Sequence, residues 1–303
     1  MQLRLGVTFH HVFYAPYYVA LHRGLFAEQG LELSTTIPGD GRVILAAQMR
    51  GDLDVALGGI MRSLVSYDAG ERNVPIHFTR LNDRDGFFLI GRSGSFDWPD
   101  LLGKRLILFS EAPTPWFVLR ALLLERGLDP DQIRPIAGLP APEAAEAFKA
   151  GEADFLQAPA QVAEALAAEG AGVVVREMAT EGGPIPYSSY SALRSVLDTQ
   201  NEALTAFTRA HVATLEWMRA ATGEEIWETI EPSFPDADGG VNRWAVERYH
   251  RLGVWSSDAT IPHASFDRLA DLLHRGGLIQ TVAPYDACCD DTITRAVLGM
   301  ATR

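Results

Sequence analysis

Two stretches of this 303-residue chain are written on one template, and that duplication limits the possible folds more than any single motif. The first leaves Val7 through the loop His10-His11-Val12-Phe13-Tyr14-Ala15-Pro16 and enters an amphipathic helix that closes at Gln29-Gly30-Leu31. An extended run follows, and then a second helix that ends in Met49-Arg50-Gly51-Asp52-Leu53-Asp54. The second stretch leaves Leu106-Ile107-Leu108-Phe109 through Ser110-Glu111-Ala112-Pro113-Thr114-Pro115 into a helix closing at Arg126-Gly127-Leu128. Its next helix ends in Lys149-Ala150-Gly151-Glu152-Ala153-Asp154. A short apolar strand follows each at once, Val55-Ala56-Leu57 and Phe155-Leu156. Each stretch reads as a βαβαβ unit, with glycine where a helix C-terminus calls for left-handed backbone. Two such units predict an α/β protein of two similar lobes with a cleft between them.

The rest of the chain fits that frame. Residues 1–8 alternate as a strand, and helices are expected near 17–29, 42–50 and 60–69, with a strand at 75–79. Gly86-Phe87-Phe88-Leu89-Ile90-Gly91 is a buried strand by composition and carries the chain from one lobe to the other. Tyr187-Ser188-Ser189-Tyr190-Ser191-Ala192-Leu193 is the return strand, after the turn-prone Gly182-Gly183-Pro184-Ile185-Pro186. Lobe one is thus residues 1–89 plus 189–303, and lobe two residues 90–188. Helices near 200–221, 224–231, 241–252, 265–275 and 292–300 form a C-terminal part expected on lobe one.

Composition narrows the partners. A net charge of −13 argues against nucleic acid or an anionic membrane surface, while leaving room for a locally basic site. No window approaches about eighteen continuous apolar residues, so no membrane insertion is expected. A strand from the first residue, with no signal-peptide pattern ahead of it, points to the cytoplasm; a removed signal peptide would make the protein periplasmic. Cys288 and Cys289 are neighbours, a poor geometry for a structural disulfide and a weak match to a metal site, even beside Asp286, Asp290 and Asp291. Neither a metal nor a cofactor is expected, and one of the two aspartates Asp290 and Asp291 more simply caps the last helix. No GxGxxG, P-loop, HExxH or GxSxG string occurs.

In open α/β sheets ligands bind beyond the carboxyl ends of the strands, beside helix N-termini, and that rule selects the candidate site. Loop one supplies His10, His11, Phe13 and Tyr14, an aromatic wall for a flat ligand. Asp40 lies in Pro38-Gly39-Asp40-Gly41 after the second strand. Gly58 and Gly59 precede a helix, where free N–H groups favour an anionic group, and Arg62 adds a fixed charge. Arg80, in the polar run 79–85 between two strands, could grip a carboxylate, sulfonate or phosphate in bidentate fashion. In lobe two Thr114 reads as a helix cap before Pro115, which puts Trp116 at the cleft edge for stacking. Glu111 could pair with an amino group, Gln157 offers an amide, and Tyr187 and Ser188 reach the cleft from the return crossing.

The string Ala20-Leu21-His22-Arg23-Gly24-Leu25-Phe26-Ala27-Glu28-Gln29-Gly30-Leu31, with Gly51-Asp52-Leu53-Asp54-Val55-Ala56 further on, resembles the NMT1/THI5-like, sulfonate-binding-like (SsuA-like) superfamily of periplasmic solute-binding proteins. The resemblance covers most of residues 1–195. It implies a two-lobed periplasmic-binding-protein fold of type II, a small aromatic, heterocyclic or anionic ligand such as a thiamine pyrimidine precursor, and an ABC permease as partner. Enzymes of the superfamily imply the alternative, a cytoplasmic catalyst for a small aromatic, pyrimidine or carboxylate metabolite. His10 or His11 would then be the base and Glu111 the acid. Two known chemistries lack their residues here: Gly58 and Arg62 stand opposite the lysine and histidine of the fungal pyrimidine synthases, and loop one has no cysteine of the aryl-sulfinate desulfinase kind.

Overall fold

The two repeats fold alike down to single hydrogen bonds in the computed structural model, which describes residues 1–235 and 239–301. Both first helices end on a left-handed glycine, Gly30 at φ 69° and Gly127 at φ 72°. The next amide then reaches back in the same way, Leu31 N–H to the Phe26 carbonyl and Leu128 N–H to the Leu123 carbonyl, each at 3.0 Å. A side chain at either glycine would strain the backbone, so these positions fix where the chain turns into the following strand. The acidic ends of the repeats also match. Asp54 Oδ2 accepts the Arg4 N–H at 2.8 Å, and Asp154 Oδ2 accepts the Arg105 N–H at 2.9 Å. Each aspartate, just before its repeat's third strand, thereby ties that strand to the repeat's first.

Ten strands form two five-stranded sheets. Lobe one holds β1 (Gln2–Val7), β2 (Glu32–Thr36), β3 (Val55–Gly59), β4 (Ile76–Asn82) and, from the far end of the chain, β10 (Ser188–Ala192). Lobe two holds β5 (Phe87–Gly91), β6 (Arg105–Ile107), β7 (Arg134–Ile136), β8 (Phe155–Pro159) and β9 (Val173–Glu177). The orders are β2-β1-β3-β10-β4 and β7-β6-β8-β5-β9. In both sheets the first three positions are parallel and the fourth is antiparallel to its neighbours. That fourth strand is the crossing strand: β5 brings the chain into lobe two, and β10 brings it back. The lobes therefore share two connections, at residues 83–86 and 178–187.

Local chemistry revises several expected boundaries. The first helix breaks in two, Ala15–His22 and Leu25–Glu28, because Gly24 between them has φ 71°. The expected strand at 75–79 runs on to Asn82, so Arg80 lies inside a wholly buried strand. Thr114 does not cap its helix: it is buried at the first helical position, Pro115 follows, and no side chain caps that end. At the last helix Asp290, not Asp291, accepts the Thr292 N–H, at 3.2 Å.

The C-terminal helices pack on lobe one and reach lobe two as well. Asn201–Ala220 and Thr292–Val297 lie against lobe one, while Gly239–Arg251 packs on Ala160–Ala168 and His263–Gly276 on Thr114–Glu125 of lobe two. The last pair meets so closely that a Cβ on Gly276 would stand 2.1 Å from the Phe117 carbonyl oxygen. Arg268 and Arg275 both pair with Glu125 across it. No helix among the described residues is long and apolar enough to cross a membrane.

Candidate functional site

Loop one is rigid because it is bonded from three sides. His11 Nδ1 accepts the Phe13 N–H at 3.0 Å, opening a short 3-10 turn at Val12–Tyr14. The Phe13 carbonyl accepts two buried donors, Asn82 Nδ2 at 3.1 Å and Trp255 Nε1 at 3.0 Å. The Phe13 ring lies on the backbone of the outgoing crossing, where a Cβ on Gly86 would stand 2.2 Å from it. Tyr249 closes the corner: its hydroxyl donates to the Gly86 carbonyl and accepts the Ala160 N–H, both at 3.0 Å. One tyrosine from a C-terminal helix thus touches the crossing and lobe two together.

Above this corner, at the carboxyl ends of the strands of both lobes, lies a cavity of about 290 Å³. Its wall is aromatic. Phe13 meets Tyr187 edge-on at 5.9 Å, Phe87 meets Phe109 at 4.8 Å, and Phe9 lies 6.4 Å from Phe109. Lobe one contributes Thr8, His10, His11, Tyr14, Gly59, Met61 and Arg62; lobe two contributes Glu111, Ala112, Thr114 and Pro159; the return crossing adds Tyr187 and Ser188. An outer chamber of about 500 Å³ adjoins it, sharing Gly39, Met61, Arg62 and Glu111 and adding Asp40, Arg42, Ser66, Ser110 and Pro140. Arg62 and Glu111 therefore stand where the two meet.

The charges here are held against solvation. Arg62 reaches the start of the preceding helix, where a Cβ on Gly41 would be 1.9 Å from its Nη2. Its Nε is buried without a hydrogen-bond partner, and no described carboxylate pairs with it. Burial lowers its pKa, and the nearby Tyr14 and Asp40 partly restore it, so the guanidinium stays charged. Burial also raises Glu111, against a hydrogen bond from the Ala141 backbone. Tyr14 is raised by burial, with Ser188 and Thr8 in hydrogen-bonding reach of its hydroxyl. His11 is pushed down to about 3 by burial and by His10 beside it. An imidazole that weakly basic is poorly matched to proton abstraction near neutral pH. His10 stacks on Phe234 at 4.6 Å and meets Tyr18 edge-on at 5.6 Å.

Of the residues singled out from sequence, His10, His11, Phe13, Tyr14, Gly59, Arg62, Glu111, Thr114, Tyr187 and Ser188 line the inner cavity. Five do not. Arg80 is buried in β4, paired with Asp83 and, at 3.5 Å, with Asp258, so its charge is spent inside lobe one. Trp116 is half-buried outside the cavity, with Arg120 over its ring at 5.6 Å. Gln157 is buried and spends its amide on the Pro115 carbonyl at 2.9 Å. Gly58 lies behind the wall, close against the Thr8 hydroxyl. Asp40 belongs to the outer chamber, capping its helix and paired with Arg42 at 2.8 Å. Sequence reasoning missed Thr8, Phe9, Phe87, Phe109 and Tyr249. Thr8, Phe9 and Phe109 follow the carboxyl ends of β1 and β6 and were selectable by the strand-end rule; Phe87 opens β5, and nothing local marks it or Tyr249. Cys288 and Cys289 are buried free thiols, and no group of potential metal ligands occurs among the described residues.

Two five-stranded sheets exchanging one antiparallel strand, with an aromatic cavity between them, define a two-lobed binding-protein fold. A family model described as NMT1/THI5 like matches residues 12–224, and the chain belongs to that family. A Bacillus subtilis (strain 168) protein named "Putative binding protein YtlA" is 26% identical over 299 residues, covering 98% of this chain and 90% of that one. Among solved structures, a ligand-binding component of an ABC-type import system from Staphylococcus aureus superposes with a TM-score of 0.78 at 12% identity, covering 98% of this chain and 99% of that one. The alkanesulfonate-binding protein SsuA from Xanthomonas axonopodis pv. citri, bound to MOPS, gives 0.74 at 18% identity, covering 95% and 98%.

Proposed function

We propose that this protein is a solute-binding protein that holds a small aromatic, heterocyclic or anionic molecule in the inter-lobe cavity and hands it to an ABC permease. The carrying observation is the unpaired Arg62 at the mouth of an aromatic cavity of about 290 Å³ built by both lobes. The aromatic wall supplies area for a flat molecule, and Arg62 supplies the charge that selects an anionic end. The import-system role is extended from the relatives named above. Titration calorimetry and thermal unfolding against aromatic acids, pyrimidines and sulfonates test the reading. A true ligand at a hundred times its Kd stabilises the fold by about 2.7 kcal/mol. Arg62→Gln should weaken every anionic hit at least tenfold. A folded protein that binds none of the panel would sink the proposal.

A further inference from the structure

The neck between the two chambers carries opposite charges, from opposite lobes, that do not meet. Arg62 stands on the lobe-one side, in the first turn of the helix Met61–Asp68. Glu111 stands on the lobe-two side, in the loop between β6 and the helix Thr114–Glu125. Both line the inner cavity and the outer chamber alike. Among the side-chain nitrogens of Arg62 only Nε is both shut from solvent and unpartnered, so the terminal nitrogens keep open surface. No cation acts on Glu111: burial raises its pKa, and the Ala141 N–H alone opposes that. The other charges at the neck are already engaged. Asp40 and Arg42 pair with each other at 2.8 Å, and Asp40 also accepts the Arg42 N–H at 2.7 Å. His11, with its pKa at about 3, is neutral near pH 7, and His10 stacks on Phe234. Two opposite charges are thus left without partners, one on each wall, at the mouth of the aromatic cavity.

A ligand with one charge answers one of them and leaves the other to lose water unpaired as the lobes close, which costs affinity. A ligand with both charges answers both and ties one lobe to the other. The inner cavity, about 290 Å³, is roughly twice the ~150 Å³ that holds a benzene ring, so one ring and its linking carbons fit inside. We propose that the ligand is a ring-bearing zwitterion of the amino-acid class, with its carboxylate against Arg62, its ammonium against Glu111 and its ring in the aromatic cavity. This rests on the binding-protein reading above and deepens it. Held in this way, the ligand is itself the bridge between the two charges.

Calorimetry on the full chain with phenylalanine, 4-(aminomethyl)benzoate, 3-phenylpropionate, 2-phenylethylamine and ethanesulfonate tests this. At least one of the two zwitterions should bind ten or more times tighter than phenylpropionate and phenylethylamine, which carry a like ring and one charge each. Glu111 is exposed, so Glu111→Gln should unfold thermally as the parent does. It should shrink the preference over phenylpropionate to within about threefold, and Glu111→Lys should reverse that preference. Arg62→Gln should in the same way shrink the preference over phenylethylamine. Phenylpropionate binding the parent as tightly as the zwitterions overturns the inference, while leaving the receptor intact. So does Glu111→Gln weakening every ring probe by one factor, which would mean that Glu111 acts by pairing with Arg62 in the closed protein. Binding of ethanesulfonate with no zwitterion overturns it too and keeps the receptor. Binding of none of the probes by the folded protein overturns the inference and the receptor reading together.

Discussion

Asp85 sits on the outgoing crossing with no exposed surface, and replacing it isolates the energetic cost of that position. Its Oδ1 accepts the Phe87 N–H at 2.8 Å, and its Oδ2 has no partner. Burial raises its pKa from 3.8 to about 7, against that one backbone hydrogen bond. At about 1.4 kcal/mol for each tenfold in proton affinity, the ionised form carries a penalty of roughly 4 kcal/mol, as an upper bound. The native state keeps a proton between pH 3.8 and about 7 that the unfolded chain has released, so Asp85 erodes stability as pH rises through that window. Below it both states are protonated and the penalty vanishes; above it the full penalty stands. Asp85→Asn keeps an acceptor for Phe87 and removes the charge. Urea unfolding of both proteins from pH 4 to 9 should show a stability difference that grows in favour of the variant with pH and levels off above 7. Subtracting the curves removes an opposite trend from His11, His77 and His211. Their native pKa values of about 3, 3 and 4 lie below 6.5, so their contribution is lost as pH falls through that range. A difference independent of pH, or a variant less stable at pH 8, would refute the reasoning.

Gly41→Ala places a methyl where the Arg62 guanidinium lies, so affinity for an anionic ligand should fall about tenfold by calorimetry. Its thermal stability should change little, since alanine suits a helix better than glycine. The matched aspartates should separate by burial: Asp54→Ala, which strips Arg4 and Gln200 of a 5%-exposed partner, should cost about 2–4 kcal/mol in urea unfolding. Asp154→Ala, on the more exposed copy, should cost about 1 kcal/mol or less; equal losses would contradict this account of the repeat. Gly276→Ala drives a Cβ into the Phe117 backbone and should destabilise by about 1–3 kcal/mol, since neither helix can yield without parting from its neighbour.

The doubled βαβαβ plan was legible because it is written in local rules. Helical periodicity and glycines that end helices recur at matching places, and each acts on residues near it in sequence. The strand-end rule then brought ten of the fifteen singled-out residues to one cavity. It failed for Arg80 and succeeded for Arg62, and no local pattern tells the two arginines apart. Arg80 turned inward when β4 ran on past Thr79 and when Asp258, from the C-terminal part, arrived beside it. Arg62 stayed unpaired because Gly41, from another helix, left room for its guanidinium against the backbone. Tyr249 and Trp255 were invisible for the same reason, since their partners Gly86 and Phe13 lie far away in sequence. The sequence alone determined two lobes and the loops that face each other between them. Only the tertiary structure decided which charges stay free and which rings close the wall, because those depend on neighbours delivered by distant segments of chain.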